Sequence, residues 1–199
     1  MNIEEVVDRA FEVGLQQVRE EVLCLAGFVA ALRPRHVMEI GSAGGGTFYL
    51  WCKLAEAGGK KISVDLPGGV YGGEPNADPL ACARRDEMMR GWAQEVFLVA
   101  GDSHAPETYE EVKSILGDDK VDFLFIDGDH TYEGVRADYL LYRDLVRSKG
   151  YIAFHDINDS EFHRANNVGV GRFWDELQGS KLEFNTRQDW AGIGLIRHE

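Results

Sequence analysis

The chain has 199 residues, 44% of them hydrophobic, and sets 34 acidic against 21 basic side chains for a formal net charge of -13. That length accommodates one substantial core and is short for two, so a single domain over 1–199 is expected. The charge would repel a phosphate backbone, and no basic cluster or long uncharged apolar stretch occurs, which argues against a nucleic-acid partner and a membrane span.

The first residues, MNIEEVVDRAF, lack the basic start and apolar run of a secretory signal. Cys24, Cys52 and Cys82 form neither an even set nor a CxxC pair, so a reducing cytoplasm is the expected setting. N-terminal helices across 3–33 are predicted to pack on the core. Their main stripe, Val18, Val22, Leu25, Val29 and Leu32, steps by four and three and ends before Pro34. Short apolar runs then recur at His36 to Ile40, Lys61 to Val64, Val96 to Ala100, Val121 to Ile126 and Tyr151 to Phe154, and read as strands. Between the last two, Val135, Tyr139, Tyr142 and Val146 share one helical spacing. A helix around Val170 to Leu177 and strands near Leu182 to Asn185 and Ala191 to Ile196 follow. The alternation predicts a doubly wound, mostly parallel seven-stranded α/β sheet with helices on both faces. The runs FLFI and YIAF are apolar throughout, as central strands covered on both sides should be. Leu66 to Pro79 holds four Gly and three Pro directly after the second strand, and is a candidate lid.

In such a sheet, ligands bind beyond the carboxyl ends of the strands, beside the first strand. Here that position reads Glu39-Ile40-Gly41-Ser42-Ala43-Gly44-Gly45-Gly46, a turn that lets backbone N–H groups approach a ligand and opens the next helix toward it. A dinucleotide fingerprint on Gly41 and Gly46 would require glycine where Ala43 stands. Glu39 suits a cationic amino-acid moiety better than a pyrophosphate. Asp65, ending the second strand, is placed for ribose hydroxyls. Asp102 and Ser103, ending the third, either flank a nucleobase or form an ordinary turn.

Together, E-x-G-x-x-x-G, Val64-Asp65, Gly101-Asp102-Ser103, F-I-D-G-D-H at 125–130 and G-Y-I-A-F-H-D at 150–156 resemble the class I S-adenosylmethionine-dependent methyltransferases. More narrowly, the pattern is similar to the small bacterial group related to cephalosporin-hydroxylase-like and macrolide-sugar O-methyltransferases, from about Gln17 to Ile196. The resemblance implies S-adenosyl-L-methionine as cofactor, held by Glu39, Gly41, Ser42, Gly44, Gly46, Asp65, Asp102, Ser103 and Asp127.

Asp127, Asp129 and His130 follow the fourth strand, and His155 and Asp156 the fifth, so they should face one another at the same edge. Their oxygens and nitrogens suit Mg²⁺, Mn²⁺ or a similar ion. By resemblance to the metal-dependent relatives, a divalent metal would fall to Asp127, His155 and Asp156. The imidazole of His155 replaces a usual oxygen donor, which favours Mn²⁺, Fe²⁺ or Zn²⁺ over Mg²⁺, or leaves no metal. The same relatives place a general base at His130, a residue type that titrates near neutrality. Asp129 either supports this set or, with Thr131, merely starts a helix.

These readings imply methylation of a small-molecule hydroxyl, with Asp127 and His130 catalytic. Alternatives are a nicotinamide-dependent oxidoreductase, a non-catalytic nucleoside-binding protein of the same fold and, last, a metal-dependent hydrolase. A homodimer is the default expectation. Tyr71, Trp92, Tyr132 and Trp174 are more readily core or cover than pocket wall. A solvated helical face accounts for Gln17 and Glu21 as well as any contact with substrate does.

Overall fold

The computed structural model describes residues 2–66, 95–187 and 189–199. The candidate lid, Leu66 apart, lies outside them, as do Tyr71, Trp92 and Cys82. Seven strands form one sheet: β1 (Val37–Ile40), β2 (Lys61–Asp65), β3 (Val96–Ala100), β4 (Val121–Ile126), β5 (Val146–Phe154), β6 (Lys181–Phe184) and β7 (Ile193–Arg197). Their order is β3-β2-β1-β4-β5-β7-β6. The first five run parallel, and β7 inserts antiparallel between β5 and β6, so the sheet is mixed. The winding reverses at β1, which pairs with β2 on one side and β4 on the other. Two neighbouring strands therefore leave a crevice at its carboxyl end.

Side chains of β4 alternate between the two faces. Leu124 and Ile126 join Met38, Ile40, Ile62 and Val64 in one core, while Phe123 and Phe125 join Val37 in the other. The second core is closed by α1 (Ile3–Val13), α2 (Arg19–Leu32) and α3 (Gly46–Leu54). Val18, Val22, Leu25 and Val29 of the α2 stripe are all buried, as their spacing predicts. Asn2 caps α1 by accepting from the Glu4 N–H, and Arg33 ends α2 in the left-handed region before Pro34. The first core is covered by α4 (Pro106–Leu116), α5 (Tyr132–Tyr142) and α7 (Val170–Glu176), with the short α6 (Glu161–Ala165) following β5. No helix among the described residues is long and apolar enough to cross a membrane.

Val146 departs from the helical expectation. A 3₁₀ turn at Arg143–Leu145 ends α5, and Val146 opens β5 instead, pairing with Val121. The register then slips between Val121 and Phe123, with Lys149 at φ 66 beside Gly150, so the bulge hides the strand's first half from a periodicity reading. Ahead of β7, Ala191 and Gly192 take positive φ, which delays the strand to Ile193.

Candidate active site

The site is built on the turn after β1. Gly41 has φ 81 and its N–H donates to the Val64 carbonyl at 2.8 Å, while a Cβ there would collide with the Asp127 backbone carbonyl. Only glycine lets β1 and β4 close this tightly. At Gly46, the first residue of α3, a Cβ would collide with the Leu15 backbone. The link between α1 and α2 therefore lies directly on the glycine turn.

Two cavities meet there, sharing Gly41, Ala43 and Asp127. The first, about 230 Å³, lies beyond β2, β3 and β4 and is lined by Asp65, Asp102, Ser103, His104 and Asp129. Asp65 is fixed by the Ser42 N–H at 3.2 Å, and Asp102 accepts from the His104 N–H at 2.9 Å. The second, about 470 Å³, is walled by Gln17, His130, His155, Asp156, Phe162 and Trp190, with Ser42, Gly44 and Gly46 along the turn. Glu39 belongs to neither wall. It shares the face of Val37 and is fully buried, and this burial, reinforced by Asp127 and Asp65, drives its carboxyl well above the ordinary range against the opposing influence of Thr47 and Trp51.

Asp127, His130, His155 and Asp156 do converge. Asp127 Oδ1 lies 3.3 Å from both His130 Nε2 and His155 Nδ1. Asp156 Oδ2 lies 2.8 Å from His130 Nδ1, and its Oδ1 lies 3.2 Å from His155 Nδ1. Asp156 sits at φ 62, a backbone cost typical of functional positions. Burial alone would raise both carboxyls, but the facing histidines outweigh it and hold Asp127 and Asp156 below their ordinary values. Conversely, burial disfavours charge on His155, yet the two carboxylates push it up to about 10, and they raise His130 well above its usual value.

Two further residues join this set without a strong sequence signal. His163, on α6 and buried, places Nε2 3.3 Å from Asp156 Oδ1. Gln17 donates from Nε2 to Asp127 Oδ2 at 3.0 Å. Neither Gln17 nor Glu21 lies on a solvated face: both are buried, and Glu21 accepts from Thr186 and Gly192, tying α2 to the segment before β7. Asp129 starts a helix, accepting from the Thr131 N–H, while Thr131 caps α5 through Gly134. Trp174 is core, whereas Phe162 and Trp190 are the exposed aromatics at the second cavity.

Donor atoms of Asp127, His130 and Asp156 lie within 4.8 Å of one another, a spacing compatible with a shared metal ion. Among the described residues, His130 completes that group in the place the sequence reading gave to His155. Two carboxylates with one imidazole suit Mn²⁺, Fe²⁺ or Zn²⁺ at least as well as Mg²⁺.

A family model described as a methyltransferase domain matches residues 38–157. The chain is 27% identical over 176 residues to uncharacterized protein y4gI of Sinorhizobium fredii, covering 84% of this chain and 18% of that protein. It is 38% identical over 61 residues to uncharacterized protein R132 of Acanthamoeba polyphaga mimivirus, covering 31% of this chain and 28% of that one. In both cases the match takes in well under half of the relative's own length. Among solved structures, an O-methyltransferase from Bacillus cereus in complex with SAH superposes with a TM-score of 0.66 at 16% identity, over 99% of this chain and 90% of that one. TomG from Streptomyces achromogenes, an O-methyltransferase involved in tomaymycin synthesis and solved with SAM, gives 0.63 at 15% identity, over 100% and 91%.

Proposed function

Because the chain belongs to the methyltransferase-domain family and has the class I methyltransferase fold, we propose that it transfers the methyl group of S-adenosylmethionine to a hydroxyl of a small-molecule acceptor. The observation that carries this reading is the joint at Asp127, where a cavity ending in Asp65 meets a cavity walled by His130 and Asp156. The fold-level likeness to O-methyltransferases supports a hydroxyl as the acceptor group.

The cofactor would supply an electrophilic methyl group on a sulfonium, and the residues present fit it. Asp65 would offer a carboxylate to ribose hydroxyls, Asp102 and Ser103 would hold the nucleobase end, and Gly41 to Gly46 the amino-acid end. Glu39, buried behind the turn, is left out of that set. The chain's own task is chiefly to hold the acceptor hydroxyl in line and keep water away, since such a displacement is governed by positioning. His130 reaches into the second cavity between Asp127 and Asp156, and in its neutral form, which those carboxylates disfavour, it would take the hydroxyl proton.

A divalent ion, if the site holds one, would polarise the acceptor oxygens as a Lewis acid. Asp127, Asp156 and His130 are the residues that would hold it. His130 then serves as ligand or as base, not both at once, and a metal titration separates the two. The methyltransferase-domain match leaves the nicotinamide-dependent alternative without support.

The test begins with calorimetric titration by S-adenosylhomocysteine and by NAD, followed by methyl transfer from labelled S-adenosylmethionine to catechol and sugar-diol acceptors, with Mn²⁺ or with chelator. Binding of the first ligand alone and transfer to a hydroxyl are expected. His130→Ala should then lower turnover about 100-fold or more, the usual worth of a positioned base. Binding of NAD, or full turnover in the variant, overturns the cofactor or the base assignment respectively.

A further inference from the structure

Gln17 sits just ahead of α2, is 7% exposed, and lines the second cavity. Its amide nitrogen donates to Asp127 Oδ2 at 3.0 Å. The reverse orientation would press the amide oxygen against an ionised carboxylate, so this hydrogen bond fixes which way the amide points. Its oxygen, Oε1, is consequently turned away from Asp127, fully buried, and meets no donor among the described residues. A buried carbonyl oxygen left without a donor is costly, and proteins seldom leave one unless something else fills the place.

The two oxygens of Asp127 face different neighbours. Oδ1 faces His130 and His155, whereas Oδ2 faces Gln17. Gln17 is carried by the same segment as Leu15, which lies on Gly46 of the turn. Gln17, Asp127 and the glycine turn therefore border one cavity. An uncharged acceptor beside an ionised carboxylate, on a turn that borders a ligand, is matched by a cationic N–H donor.

We propose that Gln17 is a cofactor-binding residue whose Oε1 accepts a hydrogen bond from the α-ammonium of S-adenosylmethionine, while its Nε2 holds Asp127 in place for the same ligand. This rests on the cofactor reading above. It makes Gln17 a link between the amino-acid end of the cofactor and the Asp127 cluster, so that filling one end orders the other.

Two probes separate this role from a merely structural one. S-Adenosylhomocysteine carries the ammonium; 5′-methylthioadenosine has the same nucleoside and no amino-acid moiety. In calorimetry, Gln17→Met, close in volume and without the acceptor, should weaken S-adenosylhomocysteine about 10-fold and leave 5′-methylthioadenosine unchanged. Gln17→Ala should give the same split, and retained binding of 5′-methylthioadenosine reports that either variant is folded. Equal weakening of both ligands, or of neither, overturns the proposal, as does a variant whose only defect is a higher KM for the hydroxyl acceptor. If the parent chain binds neither nucleoside, the cofactor reading itself falls and this inference falls with it.

Discussion

His104 stands at the mouth of the first cavity, with its Nε2 3.2 Å from both the Gly134 carbonyl and Asp138 Oδ1. Asp138 is fully buried on α5, and neither of its oxygens has a well-formed hydrogen bond, so His104 is its electrostatic partner. Contact with Asp138 pushes the imidazole up to about 9 against the opposing pull of burial, with Asp102 adding to the rise. A histidine whose folded pKa exceeds its unfolded value, near 6.5, contributes stability that is complete below that value and is lost as pH rises through about 9. His155 and His130 are raised as well and add to the same trend. Replacing Asp138 with Asn should therefore flatten part of the fall in melting temperature between pH 6.5 and 9, rather than remove it. Thermal melts of parent and variant across that range check this, and parallel curves would show that the pair contributes nothing. At this scale the strand-end residues were legible, because Asp65, Asp127, His155 and Asp156 lie where a parallel sheet must gather them. His163 and Gln17 were not: their contacts arise when α6 and the segment before α2 fold over the sheet, and no local spacing encodes that closure.

The α1–α2 pair is more than packing on one face. Its link presses on the glycine turn at Gly46, and Glu21, near the start of α2, grips Thr186 and Gly192 ahead of β7, so the pair joins the turn after the central β1 to the segment before β7. The glycine at 46, which reads in the sequence as an allowance for a ligand, is required by the protein's own chain at this point. Gly46→Ala should push Leu15 away and cost about 1–3 kcal/mol, as overpacking of a closed contact does. Denaturant titration gives that number, and S-adenosylhomocysteine affinity should fall along with it, because Gln17 moves with Leu15. Unchanged midpoint and affinity would mean that the link yields at no cost. The helical stripe of α2 and the central strands were readable because burial on one or both faces writes itself into spacing. The start of β5 was not, since its bulge breaks the period at the residues where a reader would look for it.

Across the whole molecule, the candidate site is shared between layers. Asp65 and Asp102 end strands on one side of β1, Asp127 and Asp156 end strands on the other, and Gln17 comes from the helical layer over the second core. A doubly wound sheet with its crevice beside the first strand was legible from the alternation of strands and helices, whereas the antiparallel insertion of β7 is a pairing between distant segments that follows no local pattern. A ligand spanning both cavities would therefore clamp both halves of the sheet and the α1–α2 link at once, and its binding energy would appear as stability of the entire fold. For one site, stabilisation follows the ratio of free ligand to dissociation constant and reaches about 2.7 kcal/mol at a hundredfold excess. S-Adenosylhomocysteine should raise the melting temperature progressively as its concentration exceeds its dissociation constant. 5′-Methylthioadenosine, which lacks the amino-acid moiety proposed to reach Gln17, should require a higher concentration for the same shift. Thermal melts over a ligand series measure both, and equal potency of the two nucleosides would show that the second cavity takes no part in holding the cofactor.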